Sequence, residues 1–191
     1  FNAPWQAVAV VVLIVGGYGV QTLFPVDAVL RAFAFAPANL TPGRWETVVT
    51  AIFLHGSWAH ALMNGAFALA FATPVARLYG PSVQGFLAFF AFYLLCGVIA
   101  GVVQILFATD PRIPTLGASG AIAGVMGAYL IKFPKAWIHT LVIVIVFITT
   151  VEIPAWFFTI FWFIMQLFNG VGSIATTQVS SGGGTAWFAH I

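Results

Sequence analysis

Residues Val83 to Phe107 read VQGFLAFFAFYLLCGVIAGVVQILF, without an Asp, Glu, Lys or Arg. About 20 consecutive apolar residues suffice for a helix to cross a bilayer, so this stretch predicts a membrane span. The rest of the chain agrees. Its 191 residues are 62% hydrophobic and 5% charged, with a mean hydropathy of +1.07, whereas a soluble domain carries about 25% charged residues. So few charges cannot solvate the outside of a soluble fold, and the solvent over most of the surface must be lipid. A net charge of +2, from six basic and four acidic residues, is too small and scattered for a nucleic-acid partner. Cys96 has no second cysteine to pair with, which excludes a disulfide framework and a zinc cluster.

Working outward, a second span is predicted from Trp58 to Tyr79, with Ser57 as N-cap, and a first from Pro4 to Phe24. That first run is too long for a signal-peptide core and has no small-residue cleavage pattern after it. Between these two spans, Pro25 to Thr50 mixes Asp27, Arg31, Arg44 and Glu46 with many apolar residues. This composition predicts an element at the membrane interface. It contains Asn39-Leu40-Thr41, a glycosylation triplet by pattern alone.

Beyond Phe107 comes a polar connection, Ala108 to Leu116, and then a fourth span from Ala118 that stops before Lys132, Pro134 and Lys135. Ala136 to Thr150 is apolar and either spans or dips. A fifth span is predicted from Pro154 to Phe168, a Gly/Ser/Thr-rich loop from Asn169 to Gly184, and a sixth helix from Thr185. The expected fold class is an all-α polytopic membrane protein, with residues 1–191 as one transmembrane domain. Basic residues do not orient it: Arg77, Lys132 and Lys135 fall at one end, Arg31, Arg44 and Arg112 at the other.

Polar side chains inside membrane segments are costly and mark function. Three groups qualify. His60 and Asn64 in HGSWAHALMN (55–64) are four apart and share a helical face; a structural hydrogen-bond pair joining helices would look the same. Ser119 in Gly117-Ala118-Ser119-Gly120 stands at a loop-to-helix junction. Gly120, Gly124 and Ala128 would equally make a small-residue packing face. His190 lies in the sixth helix.

The fourth helix, about 14 residues or roughly 21 Å long, is shorter than a hydrocarbon core of about 30 Å. Ser119 is therefore expected below the membrane surface, at the floor of a water pocket. Together these residues offer a nucleophile, a base and oxyanion donors. No His-Glu-x-x-His metal motif is present. Asp27, Glu46, Asp110 and Glu152 all lie in or near connections, so a two-residue dyad is the economical arrangement, without metal or cofactor.

At this point the chain resembles the rhomboid family of intramembrane serine proteases. The resemblance rests on Phe53-Leu54-His55 through Asn64, on Gly117-Ala118-Ser119-Gly120-Ala121, on Ala189-His190, and on Glu152-Ile153-Pro154-Ala155-Trp156 with Trp162, Phe163 and Gln166. It implies a six-transmembrane-helix bundle with Ser119 as nucleophile and His190 as general base. His60, Asn64 and the Ser119 N–H would form the oxyanion hole. His55 would be a structural hydrogen-bonder. Gly120 and Gly124 would admit the last helix, and Ala136 to Thr150 would be a connection that need not span.

It further implies transmembrane proteins as substrates, with entry between the second and fifth helices beside Trp156, Phe157, Phe158 and Phe161. The setting would be a bacterial inner (plasma) membrane, with the active site opening to the extracytoplasmic side. His139 is read as an ordinary polar residue near a membrane surface.

The chain also departs from the family. Ala123 replaces an aromatic found four residues after the serine in some members, and Arg44-Trp45 reverses a Trp-Arg pair. The family continues past its catalytic histidine with a GxxxG helix, whereas this sequence stops at Ile191, so its last helix is expected to be incomplete. A non-catalytic relative that binds membrane clients, or serves in a larger membrane complex, is the alternative. A transporter would need paired broken helices and intramembrane charges, which the sequence lacks.

Overall fold

The computed structural model describes residues 2–108, 110–144 and 147–176. His190 and the sixth helix expected from Thr185 lie outside the described residues. Helix α1 spans Trp5–Gln21 and α2 Val26–Phe33; single 3₁₀ turns cover Pro37–Asn39 and Ala51–Phe53, flanking the one-turn helix α3 (Thr47–Thr50). Then follow α4 (Trp58–Arg77), α5 (Val83–Phe107), α6 (Ser119–Lys132), strands β1 (Trp137–Val144) and β2 (Phe147–Pro154), and α7 (Ala155–Thr176). The fold is thus mostly helical. Helices α4 and α5 are long and apolar enough to cross a membrane; α1, α6 and the Ala155–Phe168 part of α7 are apolar but shorter.

The expectation of an all-α protein needs correction, and the open choice for Ala136 to Thr150 resolves to a connection built as a β-hairpin. β1 and β2 pair antiparallel from Trp137↔Pro154 to Val144↔Phe147. Five of eight residues in each strand are Val, Ile or Thr, types that favour a pleated, half-buried surface over a helix. A two-stranded hairpin leaves two open edges, which hydrocarbon does not tolerate. The segment therefore does not span, and the end of α6 and the start of α7 lie on one side of the bundle. The predicted loop also starts too early: α7 continues through residues 169–176. Glycines that read as loop in soluble proteins are frequent in membrane helices.

The core is where α1, α4, α5, α6 and α7 meet, around Ile14, Phe71, Val75, Tyr93, Met126 and Ala155. Small residues set the spacing. A Cβ on Gly65 would meet Val15 of α1 at 2.9 Å, and one on Gly97 of α5 would meet Ala121 of α6 at 3.3 Å. At one end, Trp5 Nε1 donates to the Pro81 carbonyl and Gln6 Nε2 to the Gly80 carbonyl. The Arg77 guanidinium donates to the Asn2 carbonyl. These bonds tie the start of α1 to the α4–α5 turn. At the other end, Leu54, just before α4, packs with Val29 and Leu30 of α2 and with Leu116 of the segment before α6.

Candidate active site

Ser57 caps α4, its Oγ accepting from the His60 N–H at 3.1 Å. A capped start fixes the helix register and sets His60 and Asn64 one turn apart on one face. The segment before the cap is held by His55, which is only 1% exposed. The His55 Nδ1 lies 3.3 Å from the Phe53 carbonyl, and its Nε2 lies 3.0 Å from Asn64 Nδ2. A carbonyl can only accept, so Nδ1 carries the proton and Nε2 accepts from the Asn64 amide. That arrangement requires a neutral ring. Burial, helped by the neighbouring His60, pushes the His55 pKa down to about 4, against the opposing pull of the Phe53 carbonyl. The His55 and His60 rings meet edge to face at 5.0 Å.

The backbone of His55 is secured by a residue the sequence reading passed over. Gln21, the last residue of α1, donates from Nε2 to the His55 carbonyl at 2.8 Å and accepts from the His55 N–H at 3.0 Å. The rule that polar groups in apolar helices mark function applies to Gln21 as much as to Asn64, and would have found it. Tyr18, one turn earlier, packs edge to face on Trp58 at 5.0 Å.

The start of α6 reaches this cluster through Gly117. Its φ of +119° suits glycine alone. A Cβ there would lie 2.9 Å from both Cε1 and Nε2 of His60 and 3.6 Å from Asn64 Nδ2. Backbone bonds pin the segment that delivers it: Ala38 N–H to the Pro111 carbonyl (2.8 Å), Thr115 N–H to the Phe35 carbonyl (2.6 Å) and Gly117 N–H to the Ala51 carbonyl (2.9 Å). Ser119 follows as the first residue of the 14-residue α6, half-buried, with Gly120 next. The first N–H groups of a helix have no acceptor within it, and its dipole favours negative charge at that end.

Of the expected site residues, the structure thus gathers His55, His60, Asn64 and Gly117 and sets Ser119 two residues beyond Gly117. His190 lies outside the described residues. Gly124 approaches α5 closely, where a Cβ would overlap the Cys96 side chain; the last helix, which Gly120 and Gly124 are expected to admit, lies outside the described residues. On α7, Phe158 turns inward onto Phe67 and Phe71 of α4, at 6.2 and 5.9 Å, while Trp156, Phe157 and Phe161 are about half exposed. Among the described residues no three of His, Cys, Asp and Glu gather as metal ligands.

The Rhomboid domain family matches residues 42–191, well over half of the chain, including His55, His60, Asn64, Gly117 and Ser119 but not Tyr18 or Gln21. The chain belongs to the rhomboid family. This rhomboid is 28% identical over 141 residues to RHOMBOID-like protein 12, mitochondrial, of Arabidopsis thaliana, covering 66% of this chain and 42% of that protein. It is 33% identical over 91 residues to Rhomboid protease GluP of Bacillus subtilis, covering 48% of this chain and 16% of that protein. The chain spans less than half the length of each of these relatives. As a rhomboid it is a membrane-embedded protein, in keeping with α4 and α5.

Proposed function

We propose that this rhomboid is an intramembrane serine endopeptidase that cuts the transmembrane segments of other membrane proteins. The observation that carries the reading is Gly117, whose backbone lies against His60 and Asn64 and leads directly into Ser119. In the proposed reaction Ser119 Oγ attacks the scissile carbonyl and gives its proton to His190. The carbonyl oxygen becomes an oxyanion held by His60, Asn64 and the Ser119 N–H. The C–N bond then breaks, His190 protonates the leaving amine, and water hydrolyses the acyl-enzyme by the reverse proton path. His55, neutral and buried, keeps the Asn64 amide turned so that one of its N–H bonds is satisfied and the other serves the oxyanion.

The exposed aromatics of α7 beside the Phe158–Phe71 contact support lateral entry of a substrate helix between α4 and α7. A bacterial inner (plasma) membrane with the site opening outward, alone or within a larger membrane complex, is the setting we infer. The test is cleavage of a single-span substrate protein in liposomes. Products ending inside the span, absent with Ser119→Ala, are expected. Products that persist with Ser119→Ala would overturn the assignment.

A further inference from the structure

We propose that Gln21 is a positioning residue for the oxyanion donors, acting on Asn64 through His55; the inference rests on the proteolytic reading above. The His55 backbone lies in the connection between the Ala51–Phe53 turn and α4, with no helix or strand to satisfy it. A buried N–H or C=O left without a partner is destabilising. Gln21 supplies both partners at once, at 2.8 and 3.0 Å, much as a neighbouring strand would.

With its backbone fixed from α1, the His55 ring is anchored at Nδ1 by the Phe53 carbonyl and turns Nε2 toward Asn64 Nδ2. Asn64 lies in turn beside Gly117, and a Cβ on Gly117 would be 3.6 Å from Nδ2. The chain of contacts is therefore continuous: the end of α1, the segment before α4, the first turns of α4, and the entry to α6.

A carboxamide combines a donor and an acceptor in one planar group at every ordinary pH. Leucine at position 21 would supply neither bond. An ionised glutamate would keep the acceptor but oppose the His55 carbonyl, whereas a protonated one can make both bonds. The role therefore has a signature in pH that simple packing of α1 does not.

The test uses the full chain in detergent, with Gln21→Leu and Gln21→Glu beside the wild type. A fluorophosphonate titration separates the rate of serine phosphonylation, with fluoride leaving, from the binding step, and nitrogen NMR reports the His55 ring and the Asn64 amide. Displacing reacting or donor groups by about 1 Å can cost on the order of 10²-fold. We expect phosphonylation of Gln21→Leu to slow roughly 10- to 100-fold with binding little changed, and its His55 and Asn64 resonances to move. For Gln21→Glu, the rate relative to wild type should recover as the pH falls through the new carboxyl's titration.

Unmoved resonances would overturn the positioning role whether or not the wild type reacts. So would a Gln21→Glu to wild-type ratio that does not change with pH, and this variant carries the test should Gln21→Leu not fold. A wild type that the fluorophosphonate does not label, with resonances that do move, would instead sink the proteolytic reading.

Discussion

The His60 ring occupies the space that a side chain on residue 117 would need: a Cβ at Gly117 would sit 2.9 Å from His60 Nε2. The entry to α6 can reach the first turns of α4 only because residue 117 has no side chain and adopts φ +119°.

Gly117→Ala should therefore fail twice, through a backbone region worth about 1–3 kcal/mol of strain for other residues and through contact with His60. The expected result is a lowered thermal midpoint and a loss of fluorophosphonate labelling on the order of 10²-fold. Unchanged labelling would mean that this contact does not hold the site together.

Gly124→Ala tests the α5–α6 seam. The new methyl would overlap Cys96, and overpacking of this kind costs about 1–3 kcal/mol. Cys96→Gly in the same chain should restore much of the loss, because it removes the overlapping atoms. A double variant no more stable than Gly124→Ala alone would place the strain elsewhere.

The buried His55 makes stability depend on pH with a definite sign. Its folded pKa, about 4, lies below its ordinary value of 6.5, so the unfolded chain binds the extra proton. This contribution is complete above about pH 6.5 and is lost as the pH falls toward about 4. The thermal midpoint should drop across that window, and His55→Gln should flatten the drop. A midpoint equally pH-dependent in both proteins would contradict the buried neutral ring.

The hairpin predicts a labelling pattern. Lys135 and Glu152 flank a segment that turns back on itself, so cysteines introduced singly by Lys135→Cys and Glu152→Cys should react with an impermeant maleimide from the same side of sealed vesicles. Reaction from opposite faces would require the segment to span.

The spans α4 and α5 were legible because a long apolar run has few alternatives in lipid, and Asn64 stood out as a polar residue within such a run, with Ser57 as its cap. The hairpin was less so. Hydropathy registers LVIVIVFI (141–148) as apolar but not that Val and Ile outnumber Leu and Ala, which is what favours strands. Residues 169–176 misled in the opposite way, since Asn169, Gly170 and Gly172 are loop signals in water. Gln21 is a visible polar residue in an apolar helix, but chain distance hid what it does, because its partner lies 34 residues on. Orientation in the membrane was not legible at all, with three basic residues at each end.

The most direct measurement is fluorophosphonate labelling of the full-length folded protein in detergent, beside Ser119→Ala and His190→Ala. The account predicts a labelled wild type and two unlabelled variants, as an activated serine paired with a histidine base requires. A well-folded wild type that takes up no label would contradict it, and would leave a non-catalytic rhomboid that binds membrane proteins.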